Sequence, residues 1–142
     1  MLDIRGLSQI TCADLQSLPA TDLTALYMSG CSIETIEILA AKWQHSLVEL
    51  DVSWNISFEA ALDVNRLTSN PVMSKLEVLD LRGTNVSLGN VKSLLQGCPV
   101  LHNLNLSSCR SLPRGVKREY SSESLKHLRQ GIESVAGSDV SQ

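Results

Sequence analysis

The chain has 142 residues, a length that suits one domain. Apolar residues make up 43% and charged residues 19%, which supplies a core and argues against overall disorder. The net charge is −3, no basic patch dominates, and the longest apolar runs are a few residues; this argues against general nucleic-acid binding and against a membrane span. Aromatics are only 4%, so the core must be built from leucine, isoleucine and valine.

In chain order, the first predicted strand is Leu2-Asp3-Ile4, with the leucine and isoleucine on one side. The residues before Thr11 include Asp3 and Arg5 and form no apolar run, so no signal peptide is expected there. A second strand pattern starts at Leu23 (LTALYMSGCSI). It is followed by Ile36, Leu39, Ala40 and Trp43 at helical spacing, which predicts a helix over 34–43. A third pattern starts at Leu47 (LVELDVSWNIS), and Phe58, Ala61 and Leu62 predict a helix over 58–67. Ser69-Asn70-Pro71 marks a loop. A fourth starts at Leu76 (LEVLDLRGTNV), with Leu88, Val91, Leu94 and Leu95 predicting a helix over 88–95. A fifth starts at Leu101 (LHNLNLSSCRS). Pro113 and Gly115 then break the pattern. Leu125, Leu128 and Ile132 predict a capping helix over 122–132, with Ser121 or Ser122 as its N-cap. Residues 133–142 are small and polar, and are expected to form a disordered tail.

Laid beneath one another, the five patterns fit L-x-x-L-x-L-x-x-(N/C/T), the first lacking its opening leucine. The fourth-position residues Leu2, Leu26, Leu50, Leu79 and Leu104 are spaced by 24, 24, 29 and 25. Near-constant spacing over five units identifies a leucine-rich repeat. The expected fold is therefore an α/β solenoid, a single domain over 1–132 with repeats starting near 1, 23, 47, 76 and 101 and a capping segment over 113–132. Its curved parallel sheet lies on the concave face and its helices on the convex face. The first unit has no N-terminal cap before it. This predicts that the chain is the C-terminal piece of a longer protein, with an edge strand prone to self-association.

Position nine of the units holds Cys31, Asn55, Thr84 and Cys109, where the chain turns inward and leaves backbone groups in need of partners. The four cysteines, Cys12, Cys31, Cys98 and Cys109, have no metal-pair or CxxC spacing and are read as reduced thiols. His45, His102 and His127 lie in different units, and no Gly-rich phosphate loop is present. No catalytic residue, metal or cofactor is therefore expected, and the chain is not read as an enzyme. Sequons begin at Asn55, Asn85 and Asn105. They are read as by-products of an Asn- and Ser-rich repeat.

The segment GCPVLHNLNLSSCRSL, from Gly97 to Leu112, resembles the cysteine-containing subtype of leucine-rich repeat found in F-box/LRR proteins. The resemblance covers roughly 23–112, and Asn55 and Thr84 depart from its cysteine at position nine. It implies a protein-interaction module that selects substrates for a ubiquitin ligase, inside the cell. The ligase adaptor would be reached only through an N-terminal F-box missing from this sequence. The alternatives are a repeat scaffold or adaptor without an F-box and an extracellular receptor fragment.

Positions three, five and seven should point outward from the sheet. Tyr27, Glu49, Asp51, Asp80, Arg82, Asn103 and Asn105 fall there, as does Ser53, and Trp54 stands at position eight. This acidic, aromatic strip is the expected binding surface for a protein or peptide with basic and apolar groups. Arg110, Arg114, Lys117 and Arg118 form a second candidate surface, for an acidic partner or phosphate, although such a run is read first as a solvated loop.

Overall fold

Each three-residue strand places its middle leucine on one face and its flanking residues on the other. Stacking such strands side by side buries one continuous aliphatic column. The structure, a computed structural model, describes residues 1–7, 9–31, 39, 42–55 and 73–139. Among them, β1 (Leu2–Asp3), β2 (Ala25–Tyr27), β3 (Glu49–Asp51), β4 (Val78–Asp80), β5 (Asn103–Asn105) and β6 (Glu119–Tyr120) form one sheet in chain order. The first five strands are parallel, and β6 pairs with β5 antiparallel. The fold is thus α/β with a mostly parallel six-stranded sheet.

The pairing register is the repeat frame. Leu2, Leu26, Leu50, Leu79 and Leu104 stand side by side, and Tyr120 of β6 completes the row. Met28, Val52, Leu81 and Leu106 form a second buried row, while Leu2 on edge strand β1 and Ile4 just after it are half-buried. Backbone ladders continue beyond the strands: Gly6, Gly30, Trp54 and Gly83 each donate an N–H to the position-seven carbonyl of the next unit, at 2.7–3.0 Å.

The α2 helix (Leu88–Gly97) buries Val91, Leu94 and Leu95 against the sheet, with Ser87 and Asn90 closing its start reciprocally. Leu39 and Trp43 are buried in helical backbone. The rest of the helix predicted over 34–43, apart from Lys42, lies outside the described residues. So do the helix predicted over 58–67 and the loop at Ser69-Asn70-Pro71.

Three features differ from the sequence expectation. A short helix, α1 (Cys12–Gln16), follows β1; Thr11 and Asp14 cap it reciprocally, and Leu15 enters the core. Strand β6 was not expected either. It forms because Tyr120 buries beside Leu104 while the Arg118 carbonyl accepts Leu106 N–H. Finally, the terminal helix α3 (Ser122–Asp139) runs past the expected end at Ile132, so residues 133–139 are helical backbone rather than disordered tail. Residues 133–136 hold no helix breaker, and a nucleated helix gains one bond per added residue. The Ser121 carbonyl accepts the first bond of α3, from Leu125 N–H at 2.8 Å.

Cations close two helix ends from a neighbouring element. Lys42 Nζ donates to the carbonyls of Leu15 (2.9 Å) and Gln16 (2.8 Å) and also to that of Leu18. Arg129 of α3 donates to the carbonyls of Leu95 and, at 2.6 Å, Cys98. Both satisfy terminal carbonyls and oppose the negative end of a helix dipole. No helix among the described residues is long and apolar enough to cross a membrane.

Candidate functional site: the outer sheet face and the Trp54 cleft

The register sets the outward residues in rows. Asp3, Tyr27, Asp51, Asp80, Asn105 and Glu119 form one; Ala25, Glu49, Val78 and Asn103 form the next. Strands β1–β5 carry all the expected binding residues of these rows, and the pairing brings them onto one face. Ser53 is the exception: it is fully buried, its hydroxyl donating to Ser29 Oγ at 2.9 Å. The chain bends at this point, but position seven is not inward throughout: the Arg5 and Arg82 side chains are 58% and 44% exposed.

The cause of that bend is a recurrent local bond. Asp3, Asp51, Asp80 and Asn105 each accept the N–H two residues ahead through Oδ1, at 2.9–3.2 Å. The row of aspartates therefore has a structural task that the sequence reading missed, although Asp or Asn two residues before a turn was its signal. What distinguishes the members is their remaining charge. Asp3 is bound by Arg5, whose guanidinium holds the Asp3 carboxyl below its ordinary range. Asp80 is bound by Arg82 at 3.0 Å, and this raises the Arg82 pKa. Glu49 accepts the Tyr27 hydroxyl at 2.5 Å, a bond that pushes the Tyr27 pKa up. Among the described residues, no cation forms an ion pair with Glu49 or Asp51. A net negative spot thus lies at the centre of the sheet face.

Beside it stands Trp54, 52% exposed and with φ 59°. Position eight is left-handed in every unit: Gly6, Gly30 and Gly83 occupy it in three, Ser108 in the last and Trp54 in the third. Left-handed backbone costs an L-residue about 1–2 kcal/mol. The Trp54 ring lies over Gly83, where an added Cβ would overlap its Cε3, Cζ3 and Cδ2 atoms. Trp54 is therefore both exposed and packed on the neighbouring unit. Its ring, with Gly83, Thr84, Asn85, Ser108 and Arg110, lines a cleft of about 450 Å³. Stacking of adjacent units brings Arg110, which the sequence placed in a separate basic cluster, beside Trp54. Lys117 of that cluster instead sits over the Tyr120 ring at 5.9 Å.

Position nine is internal. Cys31 Sγ donates to Ile4 O, Asn55 Nδ2 to Met28 O and Val52 O, and Cys109 Sγ to Leu81 O, all at 2.9–3.1 Å. Thr84, with a shorter side chain, donates to Leu81 O of its own unit at 2.7 Å. Cys31, Asn55 and Cys109 thus link their units to the ones before them, whereas Thr84 does not. Asn55 is 2% exposed, which removes its sequon from reach of a glycan; Asn85 is exposed.

Cys31, Cys98 and Cys109 are free and buried. Burial pushes the Cys98 pKa up to about 12, and burial likewise raises that of Cys31. Thiolate is the nucleophile, so Cys98 should resist alkylation in the native state. We expect iodoacetamide at pH 8 to modify Cys98 only as fast as the native protein opens, read by mass spectrometry of its peptide. Labelling at the rate of the urea-unfolded chain would contradict this. The sign of the linkage also follows. Between pH 9 and about 12 the unfolded thiol loses its proton while the native one keeps it. Cys98 therefore contributes less stability as pH rises through that window.

The histidines do not converge: His45 meets Ser74 Oγ at 3.0 Å, His102 meets Glu77 at 3.3 Å, and His127 lies 4.0 Å from Glu123. No group of three or more His, Cys, Asp or Glu among the described residues is placed to hold a metal ion. No family model matches the chain, and no curated protein or solved structure matches it.

Proposed function

We propose that the chain is a leucine-rich repeat module, a solenoid that binds a protein or peptide on the concave, outer face of its sheet. Two observations support the repeat reading: strands spaced by one repeat pair in register, and position-nine donors tie units together. The binding reading is carried by one observation. The half-exposed Trp54, in a backbone conformation that glycine adopts in three units, follows a strand whose Glu49 and Asp51 form no ion pair among the described residues. Exposed aromatics give contact area at low entropy cost, and flanking charge sets orientation and association rate. The partner chemistry this favours is a segment with basic and apolar side chains.

By resemblance of residues 97–112, the module selects substrates for an F-box/LRR-type ubiquitin ligase inside the cell, acts without chemistry of its own and needs no cofactor. Asn55 and Thr84, where that subtype carries cysteine, favour the second reading, an intracellular repeat scaffold without an F-box. The two separate on the protein tagged at its native locus: co-purification of the ligase adaptor supports the first, its absence the second. The binding face is tested by Trp54→Gly with Asp51→Asn. The glycine suits the left-handed backbone, and the amide keeps the bond to Ser53 N–H as Asn105 does for Ser107. The pair should weaken partner binding by about thirty-fold or more, a hot-spot loss of about 2 kcal/mol, with the thermal midpoint preserved. Full affinity in the double variant removes this face from the interaction.

A further inference from the structure

The cleft beside Trp54 differs in charge from the sheet face it borders. Among the described residues, its one ionisable lining residue is Arg110, which is exposed and makes no ion pair there. The chain from Ser107 to Arg118 carries four cationic residues and no carboxylate. The other lining groups are Asn85, Ser108, Thr84 and Gly83. Thr84 is committed inward, since its hydroxyl donates to Leu81 O. Gly83 has no side chain, and this opens space for the Trp54 ring. The cleft therefore offers an aromatic surface and a guanidinium, with an amide and a hydroxyl at the rim.

Trp54 is not placed there by the needs of the fold. Three units use glycine at its position, and their ladders run through the same N–H to carbonyl bond. A strained, half-exposed indole beside an uncommitted guanidinium is an arrangement for a ligand that is apolar on one side and anionic on the other. Guanidinium pairs with carboxylate through two parallel N–H bonds, and an aliphatic side chain lies well on an indole.

We propose that this cleft binds an acidic residue flanked by an apolar one in a partner peptide. The carboxylate pairs with Arg110, and the apolar side chain rests on Trp54. The inference rests on the binding role given above to Trp54 and adds a second pole to it. The sheet face at Glu49 and Asp51 suits cations, the cleft suits an anion, and the indole lies between them. A bound segment would then carry its positive residues over the strands and its negative residue toward the loop that follows β5.

Three capped five-residue peptides alternating leucine with aspartate, asparagine or lysine test this on the whole chain, observed by amide and indole NMR. The Trp54 indole signal is identified by its loss in Trp54→Gly. The aspartate peptide should shift saturably the Trp54 indole and the Gly83 and Ser108 amides. The asparagine peptide should bind there at least about ten-fold more weakly, as loss of a charge-assisted bond requires. Arg110→Gln should bring the aspartate peptide down to the asparagine level without lowering the thermal midpoint. Equal binding of the aspartate and asparagine peptides, or a cleft that prefers lysine, overturns the proposal. If lysine shifts Glu49 and Asp51 while no peptide shifts the cleft, the proposal falls and the sheet-face reading stands. If no peptide shifts either region, both fall.

Discussion

Leu79→Ala should lower the free energy of unfolding by about 2–5 kcal/mol, the range for a leucine deleted from a tightly packed core. Leu79 is 1% exposed and stands between Leu50 and Leu104 in the leucine row. A void there cannot close easily, because backbone ladders on both sides hold the strands apart at fixed spacing. The position also matters. Strand β4 pairs with both β3 and β5, so weakening it loosens both junctions together. Against a total of about 5–15 kcal/mol for a domain, this is enough to leave a sizeable unfolded fraction. Urea titration followed by circular dichroism measures it. Leu2→Ala, on the half-buried edge strand, should cost less; equal losses would mean that the stack is not packed as a graded row.

Asn55→Ala should produce the second large loss. Asn55 is buried and supplies Met28 O and Val52 O from one amide. A buried polar group that loses its partner costs about 1–3 kcal/mol, and here three carbonyls are affected, that of Ser53 included. Asn55→Cys is the informative companion. Cys31 and Cys109 already serve the preceding unit from this position with one Sγ donor each. The cysteine variant should keep the bond to Met28 O, give up those to Val52 O and Ser53 O, and fall between wild type and alanine in the same titration. A cysteine variant as unstable as alanine would show that position nine acts through packing rather than hydrogen bonding.

The strands and their register were legible in the sequence because the leucine rows repeat and parallel pairing leaves the rows aligned. The helix over 88–95 was legible for the related reason that Val91, Leu94 and Leu95 share one face. The elements that escaped are the short ones. Helix α1 is five residues long, below the length at which periodicity carries a signal, and only the Thr11–Asp14 cap marked it. Strand β6 is two residues long and exists because Tyr120 finds the open side of β5, a tertiary event. Among the site residues, the strand-borne ones were readable from alternation. Two facts about the Trp54 cleft were less so. The left-handed backbone could have been found by aligning Gly6, Gly30 and Gly83 in one column. The neighbourhood of Trp54 and Arg110 could not, since they are 56 positions apart and meet only through stacking of the units that carry them.

Lys42 and Arg129 have a consequence for how the chain comes apart. Each cation reaches back over 24 to 34 residues to hold the end of an earlier helix. The coupling is mutual: Lys42 ties its helical turn to α1, and Arg129 ties α3 to α2. Loosening that starts at the C-terminal helix is passed back to the helix before it, as an untied knot slackens the cord behind it. Arg129 is therefore a latch between the last two helices, and release of α3 takes that donor from the carbonyls of Leu95 and Cys98.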